Sequence, residues 1–157
     1  MGTLWIVVAH RADARIFRRE RNNQLQLVHQ IQNPDGRLKD QEIDSERPGR
    51  NFSSAAPQRH GFSPHVSSSE QIMIDFSKEV AQFLEDSRNR NLYDSLILVA
   101  GPQFLGHLRQ DLTNEANGCI VQTIDKNLGG FSDHEVSTYL QQAIQEERKR
   151  SSNLESA

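Results

Sequence analysis

The chain has 157 residues, enough for one domain with a real core. Its formal charge is -3, from 18 Lys and Arg against 21 Asp and Glu, which excludes indiscriminate nucleic-acid binding and leaves only local basic patches for such contacts. One cysteine, Cys119, excludes an internal disulfide and fits a reducing cytosol, and no run reaches the ~18 apolar residues that span a bilayer.

The start, MGTLWIVVAH, has neither a basic n-region nor an adequate apolar h-region, so a cytoplasmic protein is expected. Residues 4–9 (LWIVVA) form a short apolar run, as expected of a buried strand. Residues 10–13 turn the chain, and residues 14–19 (ARIFRR) suggest a second strand. Asn22 and Asn23 signal a turn. Residues 24–31 (QLQLVHQI) alternate Leu25, Leu27, His29 and Ile31 on one face, which predicts a half-buried strand closing a hairpin.

A polar segment follows over residues 33–68, and loops this long inside a compact domain are functional or disordered. It is sorted by charge. Asp40, Glu42, Asp44 and Glu46 alternate, then residues 47–69 carry Arg47, Arg50, Arg59, His60 and His65 with no acidic residue. This reads as a mobile arm with a cationic tip, suited to phosphate or RNA.

Residues 67–70 (SSSE) resemble a capping box, and Ile72, Phe76, Val80 and Phe83/Leu84 recur at helical spacing to about Asn89. Residues 94–100 (DSLILVA) predict another buried strand. Pro102 then suits the first position of a helix that carries Leu105, Leu108 and Leu112 and ends at Gly118. Residues 119–124 (CIVQTI) predict the last strand. After a loop at 128–131, residues 132–135 (SDHE) form a second capping box before the stripe Val136, Tyr139, Leu140, Ala143 and Ile144. The order β-β-β-loop-α-β-α-β-α predicts an α/β fold with a mixed five-stranded sheet covered by helices. A single domain is expected over residues 1–150, with a frayed tail at 151–157.

Candidate chemistry is sparse. The alternating carboxylates match no EF-hand spacing, and His60 and His65 lack the Cys/His spacing of structural zinc, so neither a metal nor a cofactor is expected. No G-x-S-x-G elbow, G-x-G-x-x-G or Walker A pattern occurs. Cys119 opens an apolar strand and reads as a small buried hydrophobe. Arg11, Arg15, Arg18, Arg19 and Arg21 are dense for one hairpin, although charges also protect an edge strand. With Arg47, Arg50, Arg59 and His60, Arg11 and Arg15 are candidates for a bipartite phosphate-binding face.

Three blocks, LWIVVAHRADARIF, NPDGRLKDQEIDSERPGRNF and YDSLILVAGPQFLGHLRQDL, resemble the bacterial host attachment protein family ("protein required for attachment to host cells") across residues 4–140. That family is similar in turn to the middle domain of archaeal and eukaryotic class-I peptide chain release factors. The resemblance implies a ribonuclease-H-like α/β fold without an evident nuclease site. It also implies that residues 33–68 correspond to the loop whose Gly-Gly-Gln tip positions water against the peptidyl-tRNA ester. This chain has Arg47-Pro48-Gly49-Arg50 in that region and no Gly-Gly-Gln; Gly129-Gly130-Phe131 lacks the glutamine and follows the last strand. The expectation is a translation-associated domain that docks on ribosomal RNA or tRNA through the basic loop and N-terminal hairpin, with little or no catalysis and no DNA or membrane partner. The rivals are a hydrolase of peptidyl-tRNA or RNA and a protein-interaction module supporting host-cell attachment.

Overall fold

The computed structural model describes residues 2–37 and 68–156. Five strands, β1 (Leu4–Ala9), β2 (Asp13–Arg19), β3 (Leu25–Gln32), β4 (Ser95–Ala100) and β5 (Ile120–Asp125), make one sheet in the order β3-β2-β1-β4-β5. β1 runs parallel to β4, and β4 to β5, while β2 is antiparallel to both β1 and β3. This order, with its single reversed strand, is the mixed five-stranded α/β sheet expected from the sequence.

Helices α1 (Ser68–Asn89), α2 (Pro102–Asp111) and the short α3 (Asn114–Asn117) cover one face, and α4 (Asp133–Ser156) covers the other. The alternation along β1 divides its residues between two cores. Trp5, Val7 and Ala9 join Phe76, Val80, Leu84, Phe104 and Leu108 on one side. Leu4, Ile6 and Val8 join Val136, Leu140 and Ile144 on the other. A central strand with both faces covered has no wet side, which is why LWIVVA is unbroken. Each fully buried aliphatic there stabilises the fold by about 1.5–3 kcal/mol relative to exposure.

Several boundaries and faces differ from the sequence expectation, each for a local reason. Phe17 pairs with Leu27 but Ile16 pairs with His29, so Val28 is an extra residue on β3. This bulge flips the pleat. Leu25 and Leu27 therefore pack on the α4 side, while Val28 and Ile31 pack on the α1 side, rather than sharing one face. His29 stacks on Phe83 at 4.3 Å between ring centroids, and Phe83 lies 6.2 Å from Trp5 in the same stacked sense. A second shift, between Leu96 and Ile97 against β5, leaves Val121 bulged outward and 64% exposed. Such a kink makes an edge strand a poor template for further pairing.

The helix expected to run from Pro102 to Gly118 is two helices. Leu112 is extended, and Thr113 Oγ1 accepts the Ala116 amide at 3.1 Å, starting α3 afresh. Asp111 accepts a hydrogen bond from Ser77 Oγ at 2.8 Å and Asp94 accepts the Thr3 amide at 2.7 Å, so both serve the scaffold. The capping box at 132–135 forms as expected. Ser132 Oγ accepts the Glu135 amide at 3.1 Å, and Glu135 Oε1 accepts the Ser132 amide at 2.8 Å. α4 continues to Ser156, past the expected fray at residue 151, because no Gly or Pro after Gly130 interrupts it. The acidic run at 40–46, the basic residues Arg47, Arg50, Arg59, His60 and His65, and the cap residue Ser67 lie outside the described residues.

Candidate functional site

In parallel α/β sheets, ligands bind beyond the carboxyl ends of the strands. Here β1, β4 and β5 end together at Ala9, Ala100 and Asp125. The residues just past them, with Met73 of α1 and the first turn of α2, line an open cleft of about 640 Å3. His10 and Arg11 come from the β1–β2 corner, Gly101 to Phe104 from the start of α2, and Asn127, Gly129 and Gly130 from the loop after β5. Met73 of α1 and Phe104, which is 2% exposed, supply apolar lining. Among the described residues, no Asp or Glu lines it. Pro102 has no amide hydrogen, and no side chain caps α2, so the amides of Gln103 and Phe104 stand in its first turn beside the cleft.

The corner from His10 to Arg15 holds this cleft in shape. His10 Nε2 lies 2.9 Å from Asp13 Oδ1, and His10 Nδ1 accepts a long contact from the Ala12 amide at 3.4 Å. Gln30 Nε2 donates to the other Asp13 oxygen at 2.8 Å. Burial pushes the Asp13 carboxyl up, but the hydrogen bonds from His10 and Gln30, with the charges of His10 and Arg15, outweigh it and hold the group below its usual 3.8. Gly129 lies flat against the His10 ring: a Cβ there would sit 2.7 Å from Nδ1. On the other side, Asn33 Nδ2 donates to the Arg11 carbonyl at 2.7 Å and the Asn33 amide donates to the Ala12 carbonyl at 2.9 Å. Both nitrogens of His10 thus face protein groups.

Of the predicted phosphate ligands, Arg11 lines the cleft. Arg15 does not face a ligand, and the expectation for it is corrected. It is 5% exposed, and its guanidinium donates to the carbonyls of Phe131 at 2.9 Å and Leu128 at 3.0 Å and to Asp133 Oδ1 at 3.0 Å. Ala14 and Ile16 point into the core under α1, so Arg15 points to the opposite face, where the 128–133 loop crosses. Its fork geometry suits it to bind carbonyls in a loop as well as phosphates. Arg18 pairs instead with Glu20 at 2.8 Å, at the other end of β2. Arg47, Arg50, Arg59 and His60 lie outside the described residues.

Sequence reading missed His10, Gln103, Asn127 and the glycine pair at 129–130. One signal was available: each stands one to five residues beyond a strand end, where the fold class places ligand sites. A smaller hollow of about 360 Å3 lies at the opposite edge of the sheet, between the β2–β3 turn and α4, lined largely by Asn and Gln.

Three carboxylates make the fold sensitive to acid. Glu85, hydrogen-bonded by Arg88 and Thr113, is held down at about 2 against an ordinary 4.5; Glu135, bonded by the Ser132 backbone and side chain, is also lowered, as is Asp13. A carboxyl depressed in the folded state stabilises it above the unfolded value and loses that contribution as pH falls through the folded value. Stability is therefore expected to be flat down to about pH 5 and to fall between about pH 4.5 and 2. Urea midpoints measured across that range test this. Glu85→Gln should flatten the lower part of the curve, and an unchanged pH profile in that variant would count against the assignment.

The chain belongs to the family described as "protein required for attachment to host cells", whose model matches residues 5–140. No curated protein matches it in sequence. Among solved structures it is similar to one described as "Archaeal protein", at 9% identity and a TM-score of 0.42, over 96% of this chain and 40% of that one. It is also similar to the archaeal translation termination factor aRF1, at 10% identity and a TM-score of 0.40, over 80% of this chain and 30% of that one. The chain thus spans less than half of either structure. No helix among the described residues is long and apolar enough to cross a membrane.

Proposed function

We propose that this member of the family docks on ribosomal RNA or tRNA through the cleft at the carboxyl edge of its sheet, and acts in translation. The observation that carries the reading is the composition of that cleft: among the described residues, Arg11 and the first turn of α2, which no side chain caps, line it and no carboxylate does. The basic residues Arg47, Arg50, Arg59, His60 and His65, which lie outside the described residues, support it by their chemistry alone. With a net charge of -3, such a chain binds RNA by a local patch rather than by its overall field.

A hydrolytic role draws little from this geometry, because His10 turns its nitrogens toward Asp13 and Ala12 and, among the described residues, no carboxylate lines the cleft. The family's description favours a second reading, a module that supports attachment through a protein partner.

Binding to tRNA or to a ribosomal RNA fragment, measured across a salt series, tests the proposal. Arg11→Ala should weaken binding severalfold and reduce the slope of log K against log salt by roughly one unit. Replacing Arg47 and Arg50 together should reduce it by roughly two. Equal affinities for wild type and both variants at every salt concentration would sink RNA docking and leave the protein-partner reading.

A further inference from the structure

We propose that the outer edge of β3 is a homodimer interface, at which two copies of the chain pair antiparallel about a two-fold axis between Val28 and His29. None of the β3 residues lines the cleft proposed for RNA. β3 ends the strand order β3-β2-β1-β4-β5, so among the described residues no strand lies beyond it. Which backbone groups face outward follows from its pairing with β2. The Glu20 amide donates to the Gln24 carbonyl at 2.8 Å, and the Asn33 amide donates to the Ala12 carbonyl at 2.9 Å. Residues of an antiparallel pair alternate between bonding across it and turning away from it. Counted inward from those two ends, Leu25, Leu27, Gln30 and Gln32 turn their N–H and C=O groups away from β2. Such a row is a template for another strand.

The bulge selects a second copy as the occupant. β2 leaves Val28 without a partner, and a regular strand on the outer side would do the same. A second copy carries the same extra residue. With the axis at the bulge, Val28 meets His29 of the other copy, Leu27 meets Gln30, and Leu25 meets Gln32, so the outward groups match residue for residue. This register also keeps the faces together. Leu25 and Leu27 pack on the α4 side, and Gln30 and Gln32, which flank Ile31 of the α1 side, lie on the α4 side too. A two-fold axis normal to the sheet requires that match. Charge agrees. Residues 22–34 contain no Asp, Glu, Lys or Arg, in a chain where such residues make up 25%. Two-fold pairing sets a strand against itself, and like charges directly opposite destabilise a sheet. Arg21 precedes the uncharged run and Asp35 follows it, and both are exposed. Antiparallel pairing brings Arg21 of each copy to the end where Asp35 of the other stands.

Sedimentation equilibrium of the intact chain is expected to show a reversible dimer. Hydrogen exchange locates the interface: the amides of Leu25, Leu27, Gln30 and Gln32 should exchange about tenfold more slowly at dimeric than at monomeric concentrations. Gln32→Pro removes one outward N–H from each copy and leaves the bond between Asn33 and Ala12 in place, as an edge strand tolerates. It should raise the dimer dissociation constant about tenfold, and its thermal midpoint at monomeric concentration checks the fold. Val121→Lys, on the opposite edge of the sheet, should leave that constant unchanged. A chain that stays monomeric at every soluble concentration overturns the proposal. So does a dimer that Val121→Lys dissociates and Gln32→Pro spares, or one whose β3 amides stay unprotected. Protection of those amides only on adding an unrelated extended peptide would give the edge another occupant and overturn pairing between copies.

Discussion

Arg15→Met is expected to lower the unfolding free energy by about 2 kcal/mol, chiefly because the buried Leu128 carbonyl loses its donor at about 1–3 kcal/mol, with less from the part-buried Phe131 carbonyl. Methionine keeps most of the apolar stem and removes the guanidinium. The carbonyls of Leu128 and Phe131 then lose their donor inside a corner where Leu128 itself is 1% exposed. The ion pair with Asp133 contributes little to this sum, because the Asp133 side chain is 55% exposed and the pair is screened. Asp133→Asn should accordingly cost under about 1 kcal/mol. Arg15→Lys should fall between, since one ammonium on a flexible stem does not reproduce a fork holding three acceptors. Urea unfolding of the three variants gives the ranking directly. A methionine variant no less stable than Asp133→Asn would show that the loop is held by something other than Arg15.

Gly36→Ala is expected to cost about 1–3 kcal/mol, the range for forcing extra volume into a packed site. Gly36 is buried, and a Cβ there would collide with the carbonyl oxygen of Arg11, with the carbonyl carbon 2.7 Å away. Backbone cannot swing aside as a side-chain end can, and the same carbonyl is already engaged by Asn33 Nδ2. The corner must move, and Arg11 moves with it, so under the proposed RNA docking the affinity should drop together with stability. Gly106→Ala is the contrasting case. That glycine lies on an exposed position of α2 with nothing within 4 Å of its Cβ, and alanine there should stabilise by about 0.5–1 kcal/mol through helix propensity. Denaturation midpoints of the two variants should therefore move in opposite directions. A Gly36→Ala protein as stable as wild type would refute the close approach.

The elements themselves were legible in the chain because their signals are local. LWIVVA and LILVA are apolar throughout, since both faces of a central strand are covered, and the structure places β1 at Leu4–Ala9 and β4 at Ser95–Ala100. The Ser132–Glu135 box is a contact between residues three apart, so its sequence and its geometry are one fact. Cleft and core assignments were less legible because they depend on residues far apart in sequence. The alternation of Leu25, Leu27, His29 and Ile31 looks continuous, yet one bulged residue, Val28, sends its two halves to opposite cores; only pairing with β2 reveals it.

The site divides along the same line. Composition and spacing alone determined an α/β domain with a long segment sorted by charge, acidic over residues 40–46 and basic from Arg47 on, and no metal-ligand pattern. The tertiary structure decided which arginine lines the cleft and which does not. Arg11 and Arg15 are equivalent as letters in a basic hairpin, but the pleat turns Arg15 under the 128–133 loop, while Arg11 sits in the corner beside the cleft. It also gave a place to Gly129-Gly130-Phe131, which follows the last strand and so seems remote from the hairpin. Parallel strands end on the same edge of a sheet, and that edge brings residue 129 against the ring of residue 10 across more than a hundred positions of chain.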